Sequence, residues 1–244
     1  MKRKKLCLAA GMIIAALLAG CGNQGTDTQP VKKTAEESAQ RGEGQETLKP
    51  TQEDKDSAAM KTDGDGSILI AYFAVAENSD VDAASSASVV TVNGETEGRT
   101  RHLARLIQEE TGGELFSIQT SVDYPGDGGR LVDYAAEEQD GDVRPELTSH
   151  IENLDQYDVV FVGYPTWWYD LPQVMYSFFD EYDFSGKTII PFNTHNGSRF
   201  SGTIATIQEL EPDAEVITDG FTVSERDVAE AGADLGDWLR GLGF

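Results

Sequence analysis

From Ser67 onward, short runs of strand-forming apolar residues alternate five times with longer segments whose apolar residues recur every three or four positions. The first run is Ser67-Ile68-Leu69-Ile70-Ala71-Tyr72-Phe73, and the others fall at 114–119, 158–163, 187–192 and 215–218. Between and after them, 100–109, 130–139, 171–182, 201–210 and 224–239 read as amphipathic helices, with Ser224 placed to cap the last. A short helix ending near Leu154 is expected before the third strand, and Pro172 is expected in the first turn of the helix after it. Runs apolar on both faces, such as Val159-Val160-Phe161-Val162, belong in a sheet covered on both sides. Five βα units with right-handed crossovers give a three-layer, doubly wound α/β domain, and the strand order 2-1-3-4-5 accommodates them.

In such a sheet, ligands bind where the strand order reverses, beyond the carboxyl ends of the strands. The loops meeting there are 74–99, 164–171 and 193–201. The second is the most unusual. Pro165 removes a backbone donor and ends the strand, and Tyr164, Trp167, Trp168 and Tyr169 put four rings within six residues of an expected surface loop. Rings gathered there fit a flat apolar ligand. Adjacent residues on a chain rarely face the same way, so one tryptophan is expected to pack inward while the other meets the ligand. The first loop is read as a long polar stretch from Ala74 to Gly98, ending where a helix begins at Gly98-Arg99-Thr100. Free N–H groups and the positive end of the helix dipole favour an anion at that point. The third loop offers small polar residues and a pliable backbone in Thr194-His195-Asn196-Gly197-Ser198. Phosphate at one end and rings at the other describe a mononucleotide, and a flavin suits the aromatic lining.

The amino-terminal third has a different character. Lys2, Arg3, Lys4 and Lys5 precede an apolar stretch from Leu6 to Ala19, too short for a stable membrane span. Leu18-Ala19-Gly20-Cys21 resembles the lipobox of bacterial lipoproteins. That resemblance implies a signal peptide over 1–20, cleavage before Cys21, and lipid on its thiol and new amino terminus. Residues 21–66, polar and nearly free of aliphatic side chains between Val31 and Leu48, read as a disordered tether. The domain is then 67–244, anchored on the extracytoplasmic face of the cell membrane. The chain has only two cysteines, so the processed protein would keep Cys21 alone and would have no thiol chemistry or disulfide. A formal charge of −24 argues against nucleic acid as a partner. The sequence contains no nucleophile elbow and no clustered metal-ligand spacing, and no catalytic residue is assigned.

Several segments together resemble the flavodoxin family: Ala71-Tyr72-Phe73, Arg144-Pro145-Glu146-Leu147, Asn153 through Asp158, Tyr164-Pro165-Thr166-Trp167-Trp168, Leu171-Pro172, Tyr182 through Phe192, and Thr194-His195-Asn196-Gly197-Ser198. The resemblance covers nearly the whole domain. It implies non-covalent FMN and electron transfer to a redox partner protein or a small acceptor. It places the phosphate loop on Gly98, Arg99 and Thr100, with Ala74 at the strand end. The ring-binding loop falls on Pro165, Thr166, Trp167, Trp168 and Tyr169, and the second flavin loop on Thr194 to Ser198. This chain departs from the family pattern in having Ala74 where a hydroxyl residue is usual, Arg99 in a Gly-Asn-Thr-like motif, Tyr169 where glycine often follows the tryptophans, and Asn196 in place of a glycine. Aromatic walls in an acidic surround imply a low redox potential. Two alternatives stay open: a binding module that has lost FMN, and an FMN-dependent quinone or nitro reductase.

Overall fold

The computed structural model describes residues 67–78 and 88–244. The signal peptide and tether expected over 1–66, with Cys21, lie outside the described residues. The central sheet is built from β1 (Ser67–Tyr72), β4 (Glu114–Ser117), β5 (Tyr157–Pro165), β6 (Thr188–His195), β7 (Glu215–Val216) and β8 (Phe221–Ser224), all paired in parallel. Its order is β4-β1-β5-β6-β7, with β8 also on β6, which is the expected 2-1-3-4-5 winding. A separate antiparallel hairpin is formed by β2 (Val89–Val92) and β3 (Glu95–Gly98).

Alternation along the strands divides the core into two layers. Leu69, Ala71, Val160, Val162 and Ile189 point to one face, where they meet Leu131 of α2 (Gly128–Asp140), Val174 and Phe178 of α3 (Gln173–Glu181) and Ile207 of α4 (Thr203–Leu210). Ile70, Tyr72, Phe161, Ile190 and Phe192 point to the other, under Leu103 and Ile107 of α1 (Arg99–Thr111) and Leu235 and Leu239 of α5 (Gly232–Leu242). At Gly163, paired with Phe192, an added Cβ would fall 2.1 Å from the Phe192 ring, so only glycine lets β5 and β6 pair under that ring.

Several expectations are corrected. The stretch 74–98 is not wholly loop: Asn93 (φ 53°) and Gly94 (φ 87°) form the turn of the β2–β3 hairpin, as Asn-Gly between strand formers dictates. The short helix before β5 is absent. Residues 143–146 form no helix, Leu147 bridges Thr120, and one 3-10 turn forms before β5, at Leu154–Gln156. Pro172 stands at the N-cap of α3 rather than inside its first turn. The fifth strand is split into β7 and β8 along β6. The closing helix starts at Gly232, so Ser224 ends β8 instead of capping a helix. β6 runs on to His195, because Asn193, Thr194 and His195 pair with β8, so the third loop begins three residues later than its polarity indicated.

Candidate functional site

Beyond the carboxyl ends of β1, β5 and β6 lies a cleft of about 710 Å³, a size suited to a small-molecule cofactor. It gathers Ala74, Arg99, Thr100, Pro165 to Tyr169 and Thr194 to Ser198 into one lining. Every predicted site residue within the described chain is there except Gly98. Gly98 lies behind the lining, where an added Cβ would stand 2.9 Å from that of Ala74. The Gly98–Ala74 contact lets the start of α1 close onto the end of β1, and it shows why neither position carries a larger side chain.

The ring loop is a two-residue hairpin. Trp167 and Asp170 exchange backbone hydrogen bonds (Trp167 N–H to Asp170 O, 3.0 Å; Asp170 N–H to Trp167 O, 2.8 Å), leaving Trp168 and Tyr169 at its tip with φ of 46° and 67°. Positive φ is strained for bulky aromatics and is normally left to Asn or Gly. The strain is held by anchors at the base. The Asp170 carboxylate accepts from Tyr176 Oη (2.8 Å), Thr206 Oγ1 (3.1 Å) and the Leu171 N–H (2.9 Å). Trp167 turns inward and packs edge-on to Phe73 and Tyr124, with ring centroids 5.7 and 5.6 Å away. Trp168 stays 48 % exposed and donates its Nε1–H to Val132 O at 3.0 Å. Tyr169 is 71 % exposed. The two tryptophans therefore turn different ways, Trp167 against core rings and Trp168 to a half-exposed position, while both line the cleft.

Sequence reasoning missed the wall opposite. Leu131, Val132 and Ala135 of α2 line the cleft, together with Val75, Ser88, Gly128 and Glu225. The helical period of α2 was legible, but which side of its outer edge meets the ring loop depends on packing. Glu225 follows a strand that the sequence did not separate from its neighbour.

At the polar end, α1 begins at Arg99, whose N–H donates to Ser88 O at 3.0 Å; the first turn has no acidic residue and no side-chain cap, so the positive end of the helix and the N–H groups after Arg99 favour an anion. Burial lowers the pKa of Arg99, against the pull of Glu225. Its Nη1 lies 3.4 Å from Glu225 Oε2, and its buried Nε has no hydrogen-bond partner. His195 Nδ1 accepts the Gly197 N–H at 2.9 Å, which leaves the ring proton on Nε2. Burial first, and then Arg199, lower the His195 pKa below its usual 6.5, so the imidazole is neutral at pH 7. Among the described residues, no group of three or more His, Cys, Asp or Glu could hold a metal ion, and no helix is long and apolar enough to cross a membrane.

A family model described as Flavodoxin matches residues 88–240. The chain belongs to the flavodoxin family. Among solved structures, a flavoprotein of Bacteroides eggerthii DSM 20697 matches at 25 % identity and a TM-score of 0.55, over 73 % of this chain and 98 % of that one. A flavoprotein of Bacteroides uniformis ATCC 8492 matches at 24 % and 0.55, over 72 % and 98 %. A flavoprotein from Lactobacillus acidophilus NCFM, solved in complex with FMN, matches at 19 % and 0.49, over 68 % and 97 %. No curated protein sequence matches significantly.

Proposed function

We propose that this flavodoxin-family domain binds FMN non-covalently in the cleft and serves as an electron carrier. One observation carries the reading: the start of α1, the ring loop and the 194–198 loop, far apart in sequence, form one lining that joins aromatic rings to Arg99, Thr100 and a helix start without a side-chain cap. That donor set fits the cofactor. Arg99, Thr100 and the α1 amides after Arg99 would hold the phosphate. Trp168, Tyr169 and the α2 side chains would flank the ring system and exclude water from it. Neutral His195, with its proton on Nε2, would offer a donor in the same cleft. When bound, FMN supplies the capacity to take up and release electrons, while the protein supplies binding and tuning.

In this reading the domain sits on the extracytoplasmic face of the cell membrane, tethered through lipidated Cys21, and passes electrons to a redox partner protein or a small acceptor. The test is to purify the protein and add FMN while following flavin absorbance and fluorescence. A yellow protein, or saturable quenching at one equivalent, is expected; neither appearing with excess FMN would refute the reading. A second reading, a binding module without flavin, draws on the Ala74 methyl where a hydroxyl is usual. Stoichiometric FMN in the protein as isolated would exclude it.

A further inference from the structure

Among the described residues, the cleft lining holds one arginine and one carboxylate, and they lie against each other. Arg99 opens α1 and Glu225 directly follows β8; both line the cleft. The Glu225 backbone N–H donates to His195 O at 2.8 Å, so the carboxylate is carried by the end of the sheet rather than by a free loop. Its contact to Arg99, at 3.4 Å, is long for a charge-assisted hydrogen bond, and Arg99 keeps a buried Nε donor unused. The guanidinium is thus poised for an anion and only partly occupied by Glu225. Among the described residues, Arg199, Asp227 and Glu225 itself act electrostatically on His195 at the end of β6, Arg199 lowering its pKa and the two carboxylates raising it.

We propose that Glu225 sets the charge selectivity of the cleft: it lowers affinity for a flavin bearing a doubly charged phosphate and favours the singly protonated phosphate. The proposal rests on the flavin reading above. An incoming phosphate at the Arg99 guanidinium shares the polar end of the cleft with the carboxylate of Glu225. Two negative charges on the phosphate repel that carboxylate in a partly desolvated site. A phosphate that keeps one proton carries less charge, and its O–H can donate to the carboxylate. Phosphate monoesters gain that proton near pH 6. Riboflavin, which has no phosphate, is the reference ligand, because ring contacts cancel in the comparison.

The experiment titrates the purified protein with FMN and with riboflavin by fluorescence quenching, at pH 6 and pH 8, for the wild type, E225Q and R99Q. At pH 8, E225Q is expected to raise the FMN-to-riboflavin affinity ratio about tenfold, the effect of roughly one unit of like-charge perturbation. R99Q is expected to lower it. In the wild type the ratio is expected to rise on going from pH 8 to pH 6. A folded E225Q protein with an unchanged ratio overturns the proposal. If E225Q does not fold, the wild-type pH comparison decides, and a ratio that is flat or falls toward pH 6 overturns it. Failure of the wild type to bind either flavin refutes the flavin reading instead, which separates the two.

Discussion

Replacing Glu138 with glutamine should make the domain more stable at pH 8 and leave it nearly unchanged at pH 4.5. Glu138 lies on α2, three residues beyond the cleft-lining Ala135, and is only 4 % exposed. Its two carboxylate oxygens each receive the Tyr124 hydroxyl at 3.4 Å, too long to offset burial. Burial raises its pKa from 4.5 to about 7. The folded state therefore holds this proton over a pH range in which the unfolded chain has lost it. Stability from this group is complete below pH 4.5 and is lost as pH rises through 7. At ~1.4 kcal/mol per unit, the displacement is worth about 3 kcal/mol. Glutamine keeps an acceptor for Tyr124 and cannot ionise. Urea denaturation of both proteins from pH 4.5 to 8 should show E138Q gaining about 2–3 kcal/mol over the wild type across that interval. Glu211, also pushed up to about 7 mainly by burial, adds the same slope to both proteins and cancels in the difference. Parallel stability–pH curves would refute the argument. Tyr124 packs on Trp167, so the same substitution reports on the support beneath the ring loop.

Two further expectations concern the loops. Tyr169→Gly relieves a positive φ and should stabilise the flavin-free protein by about 1 kcal/mol in thermal or urea melts, while weakening flavin quenching through loss of a ring; a drop in stability would contradict the strain argument. Nitrogen-detected NMR of His195 should show Nδ1 unprotonated at pH 7 and a titration midpoint below 6.5, since burial and Arg199 both disfavour the cation; a midpoint above 6.5 would show that Glu225 and Asp227 dominate.

How much was legible in the sequence varied along the chain for physical reasons. The Val159–Val162 run could be read directly, because a strand apolar on both faces has few alternative structures, but the ring loop is shorter than expected: Tyr164 and Pro165 still pair with β6, and Tyr164 is buried in β5 rather than exposed in the loop. The α1 start was fixed by its flanking pattern, and Gly112, at φ 71°, ended that helix as its sequence indicated. The β2–β3 hairpin was also written locally, in Val89-Val90-Thr91-Val92-Asn93-Gly94, but the surrounding polar residues masked it. The break between β7 and β8 left no such mark. Both segments are short, and only their separate pairing to β6 distinguishes them. The α2 wall and Glu225 were beyond reach for another reason: their place in the cleft comes from how distant elements pack, which no local pattern encodes.

Thr166 has a consequence of its own. Its N–H donates to Thr194 O, its hydroxyl donates to Arg199 O, and Asn193 Nδ2 reaches both that hydroxyl and Arg199 O. The loop after β5 and the loop after β6 are laced into a single jaw. Arg99, at the head of α1, reaches Glu225 at 3.4 Å, and Glu225 in turn donates its N–H to His195 O at the end of β6. Because Arg199 O is held by both Thr166 and Asn193, a change of backbone at Arg199 loosens the base of the ring loop as well as its own loop.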